Sequence, residues 1–283
     1  MKSNSYICPQ CRGLISRDEV ICPYCGLRNP ARWWRRILPA RIFMQPGKFM
    51  TDPVSAIIYL NVAIYIFSLV IHPSSLNLSM NPFFFLSPTD TSLFLLGATG
   101  TLPIDQFGRW WTLISASYLH GGVLHLLFNM VAFYQLGPFV LLEYGVYRFF
   151  TIYTLSGVGG FFLSYLFGVP FTIGASASIC GLIGAILYFG KSRGGFYGES
   201  IYRQALGWVV GLVLFGLMLP GINNWAHGGG LITGIATSYL LGYEERRREN
   251  AFHRALSWIC FLVTAIIIGG NMARVLYFLL AGK

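Results

Sequence analysis

Two stretches far apart in the chain place a nucleophile and a base in the same kind of setting. Ile173-Gly174-Ala175-Ser176-Ala177-Ser178 opens an apolar helix with a serine after a turn of small residues. Trp225-Ala226-His227-Gly228-Gly229-Gly230 opens another with a histidine. A third stretch runs from His120-Gly121-Gly122 through His125 to Asn129. His125 and Asn129 are four residues apart and so share one helix face. A serine hydroxyl is a weak nucleophile until a base accepts its proton, and His227 is a base within apolar sequence. The oxyanion of an acyl-transfer reaction needs hydrogen-bond donors. The Ser176 backbone N–H, the Asn129 amide and the His125 ring are available for that role. Each residue alone has a plainer reading, since serines commonly pack membrane helices and buried histidines are often structural. Ser178 stands about 200° around the helix from Ser176, so both cannot face one histidine. His120 reads as a brace for the preceding loop.

These residues sit in a chain that is 55% hydrophobic and only 11% charged. Soluble domains carry roughly 25% charged residues, so this is a membrane protein. Seven apolar spans are expected, at about 54–71, 115–136, 148–167, 176–189, 202–219, 225–243 and 256–280. The span opening at Ser176 is short, about 14 residues, and a helix that short must be enclosed by protein or meet water at one end. Between the first two spans lies a connection from His72 to about Leu113. It is rich in proline and aromatic residues, is unlike solvated coil, and is expected to lie partly in the outer leaflet with one short helix. The fold class is therefore an all-α polytopic membrane protein.

A net charge of +10 does not indicate nucleic acid here. Basic residues mark the cytoplasmic side of a membrane protein. With the N-terminus inside, seventeen of the twenty Lys and Arg residues fall on that side. They include Arg148, Lys191, Arg193, Arg203 and Arg246 to Arg248. Arg109, Arg274 and Lys283 fall outside, as does the C-terminus. On this topology Ser176, His227, His125 and Asn129 all lie at one depth, just beneath the outer interface. Ionisable residues within spans are functional candidates. No carboxylate lies at that depth, so the chemistry is that of a Ser-His dyad and calls for no cofactor. Cys180 and Cys260, both within spans, read as buried inert thiols, with Cys180 one turn from Ser176.

The remaining cysteines form a separate group. Cys8-Pro9-Gln10-Cys11 and Cys22-Pro23-Tyr24-Cys25 are two Cys-x-x-Cys knuckles ten residues apart. Four thiolates so arranged suit a closed, structural zinc site, and two disulfides are the competing reading. Metal binding would supply the folding energy that so few apolar residues cannot. A basic linker with Trp33 and Trp34 follows, a segment able to lie on a lipid surface. The domain division is a zinc ribbon at 1–30, a basic linker at 31–53, a six-helix core at 54–243, and a basic loop with a seventh helix at 244–283.

The three motifs in this order resemble the rhomboid intramembrane serine proteases. The resemblance covers about residues 54–243 and implies a six-helix core with a water-filled cavity opening outward. It implies Ser176 as nucleophile, His227 as base, and His125 and Asn129 at the oxyanion hole. The seventh span is similar to the six-plus-one subtype. The ribbon resembles N-terminal extensions of some bacterial members, which implies an inner (plasma) membrane and leaves the ribbon to dock a cytoplasmic partner. Substrates would be membrane-anchored proteins cut near the outer face of the bilayer. Two positions depart from the family pattern. Ala177 stands where glycine is usual, and Trp111 is followed by Thr112 where arginine is common, which puts the anchoring of the first loop in question. The alternative function is a non-catalytic module that binds membrane helices for quality control.

Overall fold

The computed structural model describes residues 5–7, 14–16, 20–24, 52–72, 77–78, 85–219 and 221–281. The chain divides into two compact units, Met1–Ser55 and Ala56–Lys283. In the first, β1 (Ser5–Ile7) and β2 (Leu14–Ser16) pair antiparallel with Ile7 opposite Leu14. Cys22 is buried. Cys8, Cys11 and Cys25 lie outside the described residues, as does the basic linker to residue 51. Among the described residues no group of three or more His, Cys, Asp or Glu side chains is placed to hold a metal.

Seven long helices account for most of the described chain. They are α1 (Pro53–Val70), α5 (Val123–Tyr144), α6 (Val146–Leu166), α7 (Ser176–Arg193), α8 (Gly195–Met218), α9 (Asn224–Leu241) and α10 (Ala251–Leu280). Five of them are long and apolar enough to cross a membrane, and the chain is a multi-pass integral membrane protein. The two that fall short by that measure are α7 and α9, which carry Ser176 and His227. Glycine, serine and histidine lower their hydropathy. Neighbours enclose α7, whose residues from Ala177 to Leu187 are all buried.

Several boundaries differ from the sequence expectation, among them the start of α8 at Gly195 rather than about 202 and of α10 at Ala251 rather than about 256. The second long helix starts at Val123 rather than Ser115, because a 3-10 turn at Ala116–Tyr118 and the Gly121-Gly122 pair come first. It then continues through Pro138 to Tyr144. The helix opening at Ser176 runs 18 residues rather than about 14, ending at Arg193. The connection after α1 holds three short helices instead of one, α2 (Asp90–Leu96), α3 (Thr101–Phe107) and α4 (Thr112–Ser115). It also holds a small antiparallel pair, β3 (Asn77–Leu78) and β4 (Phe85–Ser87).

This connection is held by its own bonds despite the altered motif. Arg109 donates from Nη1 to the Phe94 carbonyl at 3.0 Å and lies 4.2 Å over the Phe94 ring. Thr112 Oγ1 is hydrogen-bonded to the Arg109 carbonyl at 2.6 Å and to Thr99 Oγ1 at 3.0 Å. The threonine therefore ties down the loop turn, while Arg109, three residues earlier, supplies the cationic anchor. Thr99 in turn pairs with Thr172 in an antiparallel bridge.

The last helix docks through a narrow seam. His253, Ser257, Cys260, Thr264, Ile268, Asn271 and Val275 are the buried residues of α10, spaced by three and four. They face α6, α2 and α4. Its entry is fastened to the start of α6. Gly145, which precedes that helix, offers no side-chain cap. The Glu249 carboxylate takes that place, accepting from the backbone N–H of Tyr147 at 2.8 Å and Arg148 at 2.9 Å. Arg148 itself is fully buried. It donates to the Tyr144 carbonyl at 3.0 Å, to Glu244 Oε2 at 2.9 Å and to the Arg247 carbonyl. Bonds from a charged donor contribute roughly 1.5–3 kcal/mol each. Arg148→Ala is therefore expected to lower stability by about 3 kcal/mol or more, read as a fall in detergent melting temperature. Arg203→Ala removes an exposed i,i+4 pair with Glu199 and is expected to change stability little.

Candidate active site

Ser176 is the first residue of α7, and His227 lies in the first turn of α9. The His227 Nε2 to Ser176 Oγ distance is 2.9 Å. These helices approach so closely because glycines line the contact. A β-carbon at Gly230 would stand 2.9 Å from the Ala177 carbonyl carbon. One at Gly234 would stand 2.5 Å from the Gly181 Cα. Gly230 and Gly234 thus face Ala177 and Gly181 one turn apart, and this register sets Ser176 and His227 at one level. Ala177 is accommodated on its other side by Gly160 of α6, where an added β-carbon would come within 2.8 Å of the alanine methyl.

The turn before the serine depends on Gly174, whose φ is +126°. That conformation is open to glycine and costly for other residues. The Gly174 N–H donates to the Ala116 carbonyl at 2.9 Å. A β-carbon at Gly174 would lie 2.8 Å from His125 Nε2 and 3.6 Å from Ser176 Oγ. His125 therefore lines the same small space as the serine. Its Nδ1 accepts the Gly121 N–H at 3.4 Å, which assigns the ring proton of the neutral form to Nε2, on the serine side. Asn129 is buried and donates one amide hydrogen to the His125 carbonyl at 2.9 Å. It makes no hydrogen bond to Ser176.

Among the described residues His227 Nδ1 is buried with no hydrogen-bond partner, and no carboxylate among them extends the pair into a triad. Ser178 is fully buried and donates to Ser117 Oγ at 3.4 Å, away from the histidine. His120 differs from expectation. It makes no hydrogen bond to the loop, and its ring packs edge-on against His125 with centroids 5.1 Å apart. It steadies that ring instead. Cys180 and Cys260 are both buried. Beside the pair is a cavity of about 240 Å³ walled by Val209, Leu212 and Leu217 of α8, Cys180, Leu231 and His227. Its lining from α8 was not legible in the sequence, because which face of α8 turns inward follows from packing.

A serine hydroxyl within hydrogen-bond distance of an imidazole, with a second imidazole and a buried amide close by, is thus held at the ends of two helices of a membrane protein. The Rhomboid domain model matches residues 107–244, which contain every one of these side chains. RHOMBOID-like protein 6, mitochondrial, of Arabidopsis thaliana is 30% identical over 218 residues, spanning 72% of this chain and 70% of that protein. Rhomboid protease GluP of Bacillus subtilis is 33% identical over 181 residues, spanning 64% of this chain and 35% of that protein. RHOMBOID-like protein 2 of Arabidopsis thaliana is 29% identical over 215 residues, spanning 71% and 67%. The chain belongs to the rhomboid family.

Proposed function

We propose that the chain is an intramembrane serine protease that cleaves membrane-anchored proteins near the outer face of the membrane. The observation that carries this reading is the 2.9 Å contact between His227 Nε2 and Ser176 Oγ at the mouths of two helices locked by glycine. The name of the Bacillus subtilis relative, a rhomboid protease, agrees with it. Ser176 Oγ attacks the scissile carbonyl while His227 Nε2 takes its proton. The oxyanion is met by the Ser176 N–H, by His125 Nε2–H and by the second Asn129 amide hydrogen. The tetrahedral intermediate collapses to an acyl-enzyme, and His227 gives its proton to the leaving amine. Water then attacks the ester with His227 again as base, freeing Ser176. A helical substrate must unwind locally to expose its carbonyl, so cleavage favours sites with small or helix-breaking residues.

The basic-residue distribution supports an N-terminus on the cytoplasmic side of the membrane and a C-terminus on the outer side. The test is reconstitution into liposomes with a single-span substrate bearing a helix-breaking residue near the outer interface. Cleavage on the outer side is expected, and an intact substrate beside folded protein argues against the reading. Asn129→Ala is expected to lower kcat by about 10²-fold with little change in KM. Such a split marks a donor that acts in the transition state.

We also propose that Cys8, Cys11, Cys22 and Cys25 hold one structural zinc. The antiparallel β1–β2 pair brackets the segment containing Cys8 and Cys11, and Cys22 is buried, as a ligand in a small metal-dependent fold would be. Such a closed site has no open position for chemistry and suits docking of a cytoplasmic partner. Elemental analysis should find about one zinc per chain. Cys22→Ser should lose it while the reactivity of Ser176 stays unchanged. Zinc-free protein purified under reducing conditions would count against the site.

A further inference from the structure

We propose that Asn223 is a positioning residue that holds the histidine and the serine in register from the side opposite the glycine contact. This rests on the reading of Ser176 and His227 as a reactive pair. Asn223 is the N-cap of α9, and its Oδ1 accepts the Ala226 N–H at 3.0 Å. Its backbone carbonyl accepts the His227 N–H at 3.2 Å. Both amide hydrogens then leave the helix. One is donated to Ser164 Oγ of α6 at 2.6 Å and the other to Thr172 Oγ1 at 2.9 Å. Ser164 is fully buried and Thr172 nearly so. The oxygen is committed to a backbone N–H, so the network fixes which end of the amide faces the two hydroxyls.

Thr172 lies four residues before Ser176, on the strand-like approach to the serine turn. Its backbone is paired in both directions with Thr99, at 3.1 and 2.7 Å. One side chain thus ends the helix of the histidine and grips the segment that delivers the serine. The glycine contact at residues 230 and 234 fixes the two helices below the pair. Asn223 fixes their open ends above it. Without the brace the first turn of α9 and the serine turn can separate while the helices stay packed, and a displacement near 1 Å at a reacting pair costs about 10²-fold in rate.

The variants separate capping from bracing. Asn223→Ser keeps an N-cap but reaches neither hydroxyl. Asn223→Asp keeps the cap, suits the helix N-terminus, and accepts from the same two hydroxyls after they rotate. Thr172→Val removes one end of the brace and leaves the cap untouched. Each is measured for the rate at which a fluorophosphonate labels Ser176. Each is also measured in a Ser176→Cys background for alkylation by iodoacetamide, with His227→Ala setting the rate of an unassisted thiol. A neighbouring imidazole raises thiolate content and so reactivity. Asn223→Ser is expected to slow both reactions about 10- to 100-fold, Thr172→Val to slow both by a smaller factor, and Asn223→Asp to recover most of the rate.

Should Asn223→Ser fail to fold, Thr172→Val decides. Equal rates for the folded variants and the parent in both backgrounds overturn the proposal. So does alkylation in the Ser176→Cys background that does not depend on His227. If the parent resists the fluorophosphonate but alkylation still falls with the brace, the positioning role stands and the protease reading falls.

Discussion

Ser176→Ala and His227→Ala are each expected to lower kcat for a membrane-anchored substrate by at least about 10³-fold. The double variant is expected to be no worse than either single one. The two side chains act as a unit, since a serine without its base is a poor nucleophile and a base without its serine has nothing to activate. Neither change should unfold the chain. Ser176 and His227 sit at the ends of their helices, and the interface below them is built from glycine and backbone. Melting temperatures close to the parent would therefore accompany the loss. Ser178 cannot substitute for Ser176, because it is fully buried and bonded to Ser117. A Ser176→Ala variant with near-normal turnover would refute the assignment of the nucleophile.

The second large effect is expected at Gly234. An alanine there would bring its methyl to 2.5 Å from the Gly181 Cα and 2.6 Å from its carbonyl carbon. Backbone cannot rotate aside as a flexible side chain can. The helices must part, and with them Ser176 and His227. Overpacking typically costs 1–3 kcal/mol, and Gly234→Ala is expected at or above about 3 kcal/mol because the clash is with main chain. The same variant should lose reactivity at Ser176. Gly211→Ala on α8 is the control, since a β-carbon there meets nothing within 4 Å. It should leave stability and reactivity near the parent. Loss at both positions alike would mean that helix α8 is packed differently, and loss at neither would mean that the α7–α9 contact is looser than the structure describes.

The Ser176–His227 pair was legible because its signals are local. A small-residue turn before a serine, and a histidine ahead of a glycine-rich helix, announce themselves in a few residues. Composition and charge led to the expectation that they share one depth. The long helices were legible for the same reason, since apolar runs set their extent. The boundaries were less so. The second span reads as ending at about 136, yet α5 carries Pro138 within the helix and runs on to Tyr144. The Ser176 helix reads as ending at Phe189, but its last turn adds Lys191 and Arg193 beyond the apolar run.

What the sequence could not show is the network made by residues distant from one another. Arg148 reads as a marker of the cytoplasmic side, and the structure gives it a buried clamp on the segment entering α10. Glu249 caps a helix that starts a hundred residues earlier, with Tyr147 N among its donors. Nothing local in the sequence marks Asn223. Its partners, Ser164 and Thr172, become neighbours only when α6, the serine turn and α9 meet. Thr112 departs from the family motif, and its bond to Arg109 shows how the loop turn is kept.

The most direct measurement is to treat the purified protein in detergent with a fluorophosphonate and map the adduct by peptide mass spectrometry. A single adduct is expected, on Ser176, and none in His227→Ala. A folded protein that stays unmodified, or an adduct that forms on Ser178 or persists without His227, would contradict it and turn attention to a helix-binding role without catalysis.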